Sequence, residues 1–294
     1  MLQPVPSDDR LPDAATAGRH AIVIGGSIAG LFAARVLADS FERVTLIERD
    51  ELPDEVEVRP GAPHAHHLHL LLKRGLEIIE QLFPAVKDDL LAQGVHVLDQ
   101  GKDFQIHYLS GWAPQRSCDL EILTFTRPLL ETTIRRHLLA EPRVALLAGT
   151  SVCGLVADPS GTAVAGVRYQ PRVATPQSEE RTLAADLVVD ASGRHSQAAA
   201  WLAELGYPAL EQTVVDALWG YASRIYKVPP GFSARWKSLL LMHRPPVLTR
   251  AGIIQPIEGD RWMVTLAGVM EDYPPTDEEG FLAYARALAQ PDLY

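Results

Sequence analysis

Gly25, Gly26, Ser27, Ile28, Ala29 and Gly30 stand where a short apolar run, residues 20 to 25 (HAIVIG), gives way to the small, apolar stretch GLFAARVLA. Glycines at both ends of such a turn serve a particular chemistry. Gly25 permits the tight bend and Gly30 lets a following helix pack close to the strand. The helix amino terminus then offers unpaired backbone N–H groups and a positive dipole end to a pyrophosphate. The middle glycine of the pattern is replaced by Ser27, which is small and carries a hydroxyl that can itself donate. Glu48 ends the next apolar run, VTLIERD, with Arg49 behind it. A carboxylate about 20 residues after the turn accepts bonds from ribose hydroxyls and repels a 2′-phosphate, which favours FAD or NAD over NADP.

A second stretch, Asp186 to Gly193 (DLVVDASG), reads as a strand that ends in Asp190, Ala191, Ser192 and Gly193. Small residues at a strand end allow a cofactor to approach closely. The histidine-rich run at residues 64 to 69 (HAHHLH) has neither a cysteine nor an obvious carboxylate beside it, so no metal is expected. Cys118 and Cys153 lie far apart outside any CxxC spacing and read as reduced thiols. No acid/base dyad stands out, and no catalytic residue is assigned.

The elements that must position these residues follow from periodicity. Strand, tight turn, helix and strand over the first motif form the opening βαβ of a parallel sheet. Residues 70 to 83 carry helical spacing, residues 104 to 126 alternate as strands do, and Pro128 opens a further helix. VALLAG is a buried-strand candidate, LVADPSGTAVAGVRYQ a hairpin, and ADLVVDASG a return to the parallel sheet. Beyond about residue 210 the strand-like segments VVDALWGYASRIYKV, RAGIIQPI and RWMVTLAGVM predict a second, mostly antiparallel layer. Thr276 and Glu279 are spaced as a capping box before FLAYARALA. The expected fold is therefore α/β: a Rossmann-like domain over residues 18 to 210 with a strand-rich insertion at about 95 to 126, and a substrate domain from 211 to 294.

The 294 residues are 47% hydrophobic, enough for one large core or two smaller ones. With 27 Lys and Arg against 37 Asp and Glu, the formal charge is −10 and scattered, which argues against nucleic acid and against an anionic membrane surface. The leader lacks the apolar core of a signal peptide and no run has about 20 apolar residues, so no stable membrane insertion is expected and the cytoplasm is the expected compartment.

GGSIAGL near the start, ERD after the second strand, and DLVVDASGR with Ser196 together resemble the FAD-dependent monooxygenase and reductase superfamily of aromatic hydroxylases, squalene-epoxidase-like enzymes and geranylgeranyl reductases. The resemblance continues through WLAELGYP, PIEGDRWMVTLAG and DYPPTDEEGF and covers nearly all of residues 18 to 294. It implies FAD as cofactor, NAD(P)H as transient reductant and a small organic substrate. Within it Arg59, Gly61, Pro63, His67 and His69 match a segment over the flavin side, although His64 stands where relatives tend to have glutamine. Arg127 matches an arginine that contacts the cofactor, and Val152 a position whose backbone meets the adenine. The Gly-Asp-Ala motif that closes over the ribityl chain in relatives is missing. Gly259 and Asp260 read instead as a hairpin turn. The chain accordingly reads as the amino-terminal part of a longer protein with a truncated substrate domain, one that could be inactive alone. The halogenase WxWxIP pattern is absent as well. The implied activity is flavin monooxygenation, with prenyl-group reduction or non-catalytic FAD binding as the alternatives.

Overall fold

A continuous apolar run in a strand must be covered on both faces, and Gly18–Ile24 ends in such a run, with Ala21, Ile22 and Val23 fully buried. In the computed structural model, which describes residues 17–173 and 179–294, it lies inside a four-stranded parallel sheet. Leu187–Asp190 pairs with it on one side and Phe41–Ile47 on the other, with Val144–Leu147 beyond. Helix Ile28–Ala38 covers one face through Leu31 and Ala34. On the other face Ile22, Ile24 and Ile47 pack with Val167, Trp201 and Leu183. Those partners come from a three-stranded antiparallel sheet (Arg181–Ala184, Val164–Pro171, Thr150–Ala157) and from helix Ala198–Glu204. The hairpin in that sheet turns at Asp158, whose carboxylate accepts the N–H groups of Thr162 and Ala163 at 2.8 and 3.0 Å.

A second unit is built on a six-stranded sheet in the order Trp219–Lys227, Arg261–Val269, Arg250–Ile257, Ser238–Leu241, Phe104–Tyr108, Gly111–Trp112. Every pairing in it is antiparallel except that of Ser238–Leu241 with Phe104–Tyr108. Helix Glu278–Arg286 lays Phe281, Tyr284 and Ala285 on Leu239, Leu241, Val264 and Leu266 of this sheet. Gly259 and Asp260, both at positive φ, make the hairpin turn between Arg250–Ile257 and Arg261–Val269. A smaller sheet joins His69–Leu71, Glu121–Phe125 and His96–Asp99.

The α/β class with a parallel sheet and a mostly antiparallel second layer is what the structure has. Its division is less simple than a boundary at 210. By contacts one unit comprises the chain up to Leu52 with Arg135–Leu210, and the other Pro53–Ile134 with Glu211–Tyr294. Residues 53–134 join the later segment because Phe104–Tyr108 pairs directly with Ser238–Leu241, so a strand contributed early completes a sheet made late. Helix Arg127–Leu139 carries the chain from one unit back into the other.

Three local expectations shift. Residues 70 to 83 begin as strand His69–Leu71 before the helix starts at Lys73, since Leu70 and Leu71 bond across to Thr124 and Leu123. Val214 and Val215, at 83% and 88% exposure, precede the strand that starts at Trp219. The last helix is capped by Asp277, whose side chain accepts from Gly280 N–H at 2.8 Å, and not by Thr276. No helix among the described residues is long and apolar enough to cross a membrane.

Candidate functional site

The glycine turn occupies the carboxyl end of Gly18–Ile24 in the first unit. Gly25 adopts φ +102°, and a Cβ on it would stand 2.6 Å from the carbonyl oxygen of Ala191. A Cβ on Gly30 would lie 1.7 Å from the carbonyl oxygen of Gly25. Both positions are closed to any side chain by backbone alone. Ser27 is the residue before helix Ile28–Ala38 and does not cap it with its hydroxyl. The first-turn N–H groups, those of Ile28 and Ala29 among them, therefore have no carbonyl acceptor within the helix.

Glu48 is only 4% exposed. Its Oε2 accepts the N–H of Gly26 at 2.6 Å and its Oε1 that of Asp50 at 2.9 Å. The carboxylate thus braces the turn from below, a role that spacing alone does not reveal. Arg49 points to solvent, and the buried Asp50 beside it pairs with Arg172.

Asp190, Ala191, Ser192 and Gly193 emerge from the neighbouring strand, and Ala191 N–H bonds to Ile24 carbonyl at 2.8 Å. Asp190 pins its own loop: Oδ1 accepts Ser192 N–H at 2.9 Å and Oδ2 takes the Ser196 hydroxyl. Gly193 sits at φ +86°, a conformation that suits glycine. Val152 is paired with Tyr169 in the antiparallel sheet, its side chain packed against the Ile22, Ile24 and Ile47 cluster. The first unit thus gathers its predicted residues around the ends of three adjacent parallel strands, with Val152 in the antiparallel sheet.

Arg59, His67 and Arg127 belong to the second unit. Arg59 and Glu131 are 7% and 5% exposed and bond Nε to Oε1 at 2.8 Å, while Arg127 Nε lies 3.7 Å from the other carboxylate oxygen. One buried acid holds two guanidinium groups. Burial lowers the Arg127 pKa, opposed by Glu131 and aided by Arg59. The same charges act on the histidines. His64, His67 and His69 are all held below the ordinary value, in each case chiefly by burial, with Arg127 contributing at His64 and His69. His67 Nδ1 meets the Ser223 hydroxyl at 3.0 Å, Ser223 meets Thr265 at 2.7 Å, and Tyr221 stands edge-on to the His67 ring at 4.5 Å. Glu131, Ser223 and Thr265 carried no sequence signal, because their partners are distant in the chain. No group of three His, Cys, Asp or Glu among the described residues is placed to hold a metal ion.

On the face of the six-stranded sheet that Ser223 and Thr265 share lies an apolar cavity of about 270 Å³. Leu68, Trp219, Tyr221, Leu240, Met242 and Ile253 form much of its wall, with Thr265 and His243 as further polar contributors. Such a surface suits an organic molecule better than a charged polymer.

The first unit fits the adenosine-diphosphate half of a dinucleotide on its own geometry: two glycine positions where a Cβ cannot go, a helix amino terminus, and a buried carboxylate at the end of the neighbouring strand. Comparison with known proteins gives a consistent answer. The family model of the FAD binding domain matches residues 19–230. Protein Rv3254 of Mycobacterium tuberculosis is 34% identical over 278 residues, which covers 92% of this chain and 57% of that protein. Among solved structures, PqsL, a probable FAD-dependent monooxygenase from Pseudomonas aeruginosa, matches with a TM-score of 0.64 at 16% identity, over 87% of this chain and 62% of that one. The tetrameric form of 2-methyl-3-hydroxypyridine-5-carboxylic acid oxygenase matches at 0.61 and 21%, over 91% and 64%. At such identities the structural likenesses establish the fold, and the chain spans a little over half the length of the curated relative.

Proposed function

We propose that this chain, which belongs to the FAD binding domain family, works as an FAD-dependent monooxygenase that uses NAD(P)H and oxygen to hydroxylate or epoxidise an apolar organic substrate. The observation that carries the reading is the sterically closed Gly25–Gly30 turn, braced by Glu48 at a helix amino terminus, in a chain of that family. When bound, FAD supplies the redox chemistry, taking reducing equivalents from NAD(P)H and delivering them to oxygen.

The chain's own residues bind and orient. The backbone of Gly25, Ser27, Ile28, Ala29 and Gly30 holds the pyrophosphate through N–H groups and the helix dipole. Glu48 and Arg49 serve the ribose. Asp190, Ala191, Ser192 and Gly193, with the backbone of Val152, line the remaining adenosine and pyrophosphate contacts. Arg59, His67 and Arg127 serve the flavin side. The apolar cavity beside Ser223 and Thr265 receives the substrate. Acidic net charge argues against nucleic acid as a partner, and the cytoplasm is the compartment where NAD(P)H is at hand.

NAD(P)H-dependent oxygen uptake by the FAD-loaded chain, measured with a panel of small apolar compounds and with product analysis, tests this reading. Uptake stimulated by a compound that gains one oxygen atom is the expected result. NAD(P)H oxidation that saturates a prenyl double bond without oxygen uptake would place the chain among the reductases instead.

A further inference from the structure

Leu239 and Leu240 are neighbours on the strand Ser238–Leu241, so their side chains point to opposite faces of the six-stranded sheet. Leu240 lines the apolar cavity, and Leu239 belongs to the face that helix Glu278–Arg286 covers. On this second face a separate cavity of about 600 Å³ opens beside Leu239. Ligand sites commonly occupy roughly 300–1,000 Å³. Gln105 pairs with Leu239 across the parallel ladder and therefore shares its face.

Two indoles form walls of this cavity. Trp236 is held by Phe232 and Trp262, with ring centroids 5.7 and 6.4 Å away, and Phe232 stands edge-on to Trp262 at 4.6 Å. Trp112 is held edge-on by His107 at 4.8 Å and is 39% exposed. Rings fixed in this way before a ligand arrives reduce the cost of ordering them. Gln105, Ser233, Arg235 and Asp292 supply the polar lining. None of these four side chains forms a hydrogen bond or ion pair with another described residue. A guanidinium only donates and a carboxylate only accepts, whereas an amide and a hydroxyl do both.

We infer that this cavity is a binding site for a neutral sugar, whose ring lies against Trp112 and Trp236 and whose hydroxyls bond to Gln105, Ser233, Arg235 and Asp292. An anion would satisfy Arg235 and meet Asp292, and a cation would do the reverse. A zwitterionic amino acid serves the two charges and leaves Gln105 and Ser233 unused. A sugar carries several hydroxyls, each of which both donates and accepts, so one ring serves all four side chains without a charge conflict. Bonds to the guanidinium and the carboxylate are charge-assisted and stronger than neutral ones. The C–H face of the ring finds a large apolar partner in an indole. The inference stands on the second unit alone and is independent of the flavin reading.

Calorimetric titration of the purified chain with glucose, galactose, rhamnose, maltose and lactose, and with L-tryptophan for comparison, tests the inference. The same sugars are titrated into Trp112→Ala, Asp292→Asn and, as a control on the opposite face, Trp219→Ala, each checked for its fold by circular dichroism. At least one of the sugars is expected to bind with a single site per chain and more tightly than L-tryptophan. Trp112→Ala should weaken it by at least about tenfold and Asp292→Asn by roughly tenfold, while Trp219→Ala leaves the affinity unchanged. No heat from any of the sugars, tighter binding of L-tryptophan, or full sugar affinity in both Trp112→Ala and Asp292→Asn overturns the inference. Loss of sugar binding in Trp219→Ala overturns it as well, since the sugar would then lie on the other face.

Discussion

A methyl group on Gly30 would meet a carbonyl oxygen at 1.7 Å, a conflict that only backbone movement relieves. One on Gly26 meets the Glu48 side chain, with Cβ at 2.9 Å and Oε2 at 3.1 Å, and a side chain can swing aside. Thermal unfolding should therefore rank Gly30→Ala well below Gly26→Ala, with costs of about 3 kcal/mol or more against about 1 kcal/mol. The reverse order would mean that the turn is in another register. Glu48→Gln keeps the shape of the brace and removes its charge. FAD affinity measured by titration should fall roughly tenfold, and an unchanged value removes Glu48 from the cofactor site. Gly25, Gly30 and Glu48 were legible in the sequence because sterics and strand-end placement act through near neighbours in the chain. Glu131 was not, since its meaning lies in Arg59, which is far away in sequence and arrives only when the chain has folded.

At the scale of elements, helix Arg127–Leu139 buries Glu131, Thr132, Thr133 and Arg135, polar residues that an apolar-stripe reading does not anticipate. Replacing Glu131 by Leu would leave Arg59 and Arg127 facing each other without their shared acid. Breaking a buried pair in this way should cost about 3–5 kcal/mol in urea unfolding; a change within experimental error would mean the cluster is solvated. His20 ties three strands together at one end of the parallel sheet, its Nδ1 at 2.7 Å from Ala184 carbonyl and its Nε2 at 2.8 Å from the Thr45 hydroxyl. Burial, assisted by Arg43 and opposed by the Ala184 bond and Asp186, holds its pKa below the ordinary value. His64, His67 and His69 shift the same way. The unfolded chain then binds more protons than the native one below about pH 6.5, so the stability these groups confer is present above that pH and drains away as acidity rises. Unfolding free energy should fall between about pH 7 and pH 5, before the carboxylates titrate, and His20→Gln should flatten part of that slope. Equal stability at both values would contradict the assignment. Boundaries were where the sequence read least well. Asp277 and Thr276 are both capping residue types, and only the geometry of Gly280 N–H decides between them.

At the scale of the whole molecule, most of the elements and their layer assignment could be read from periodicity, while the partition into units could not. The strand Phe104–Tyr108 looks like part of an insertion until its partner Ser238–Leu241 is known, and parallel pairing of segments so far apart leaves no local mark. The residues proposed for the cofactor are consequently distributed over both units, with the adenosine-diphosphate contacts in one and Arg59, His67 and Arg127 in the other. The apolar cavity in the second unit depends on residues from four strands and two loops, and no spacing rule would have assembled it. That the chain binds FAD is open to a direct measurement. Equilibrium titration of the purified chain with FAD, followed by the visible flavin spectrum after ultrafiltration, should saturate at one flavin per folded chain and be reversed by excess ADP, which competes for the Gly25–Gly30 turn. A chain that is folded by circular dichroism yet retains no flavin, or retains flavin that ADP cannot displace, would contradict the account.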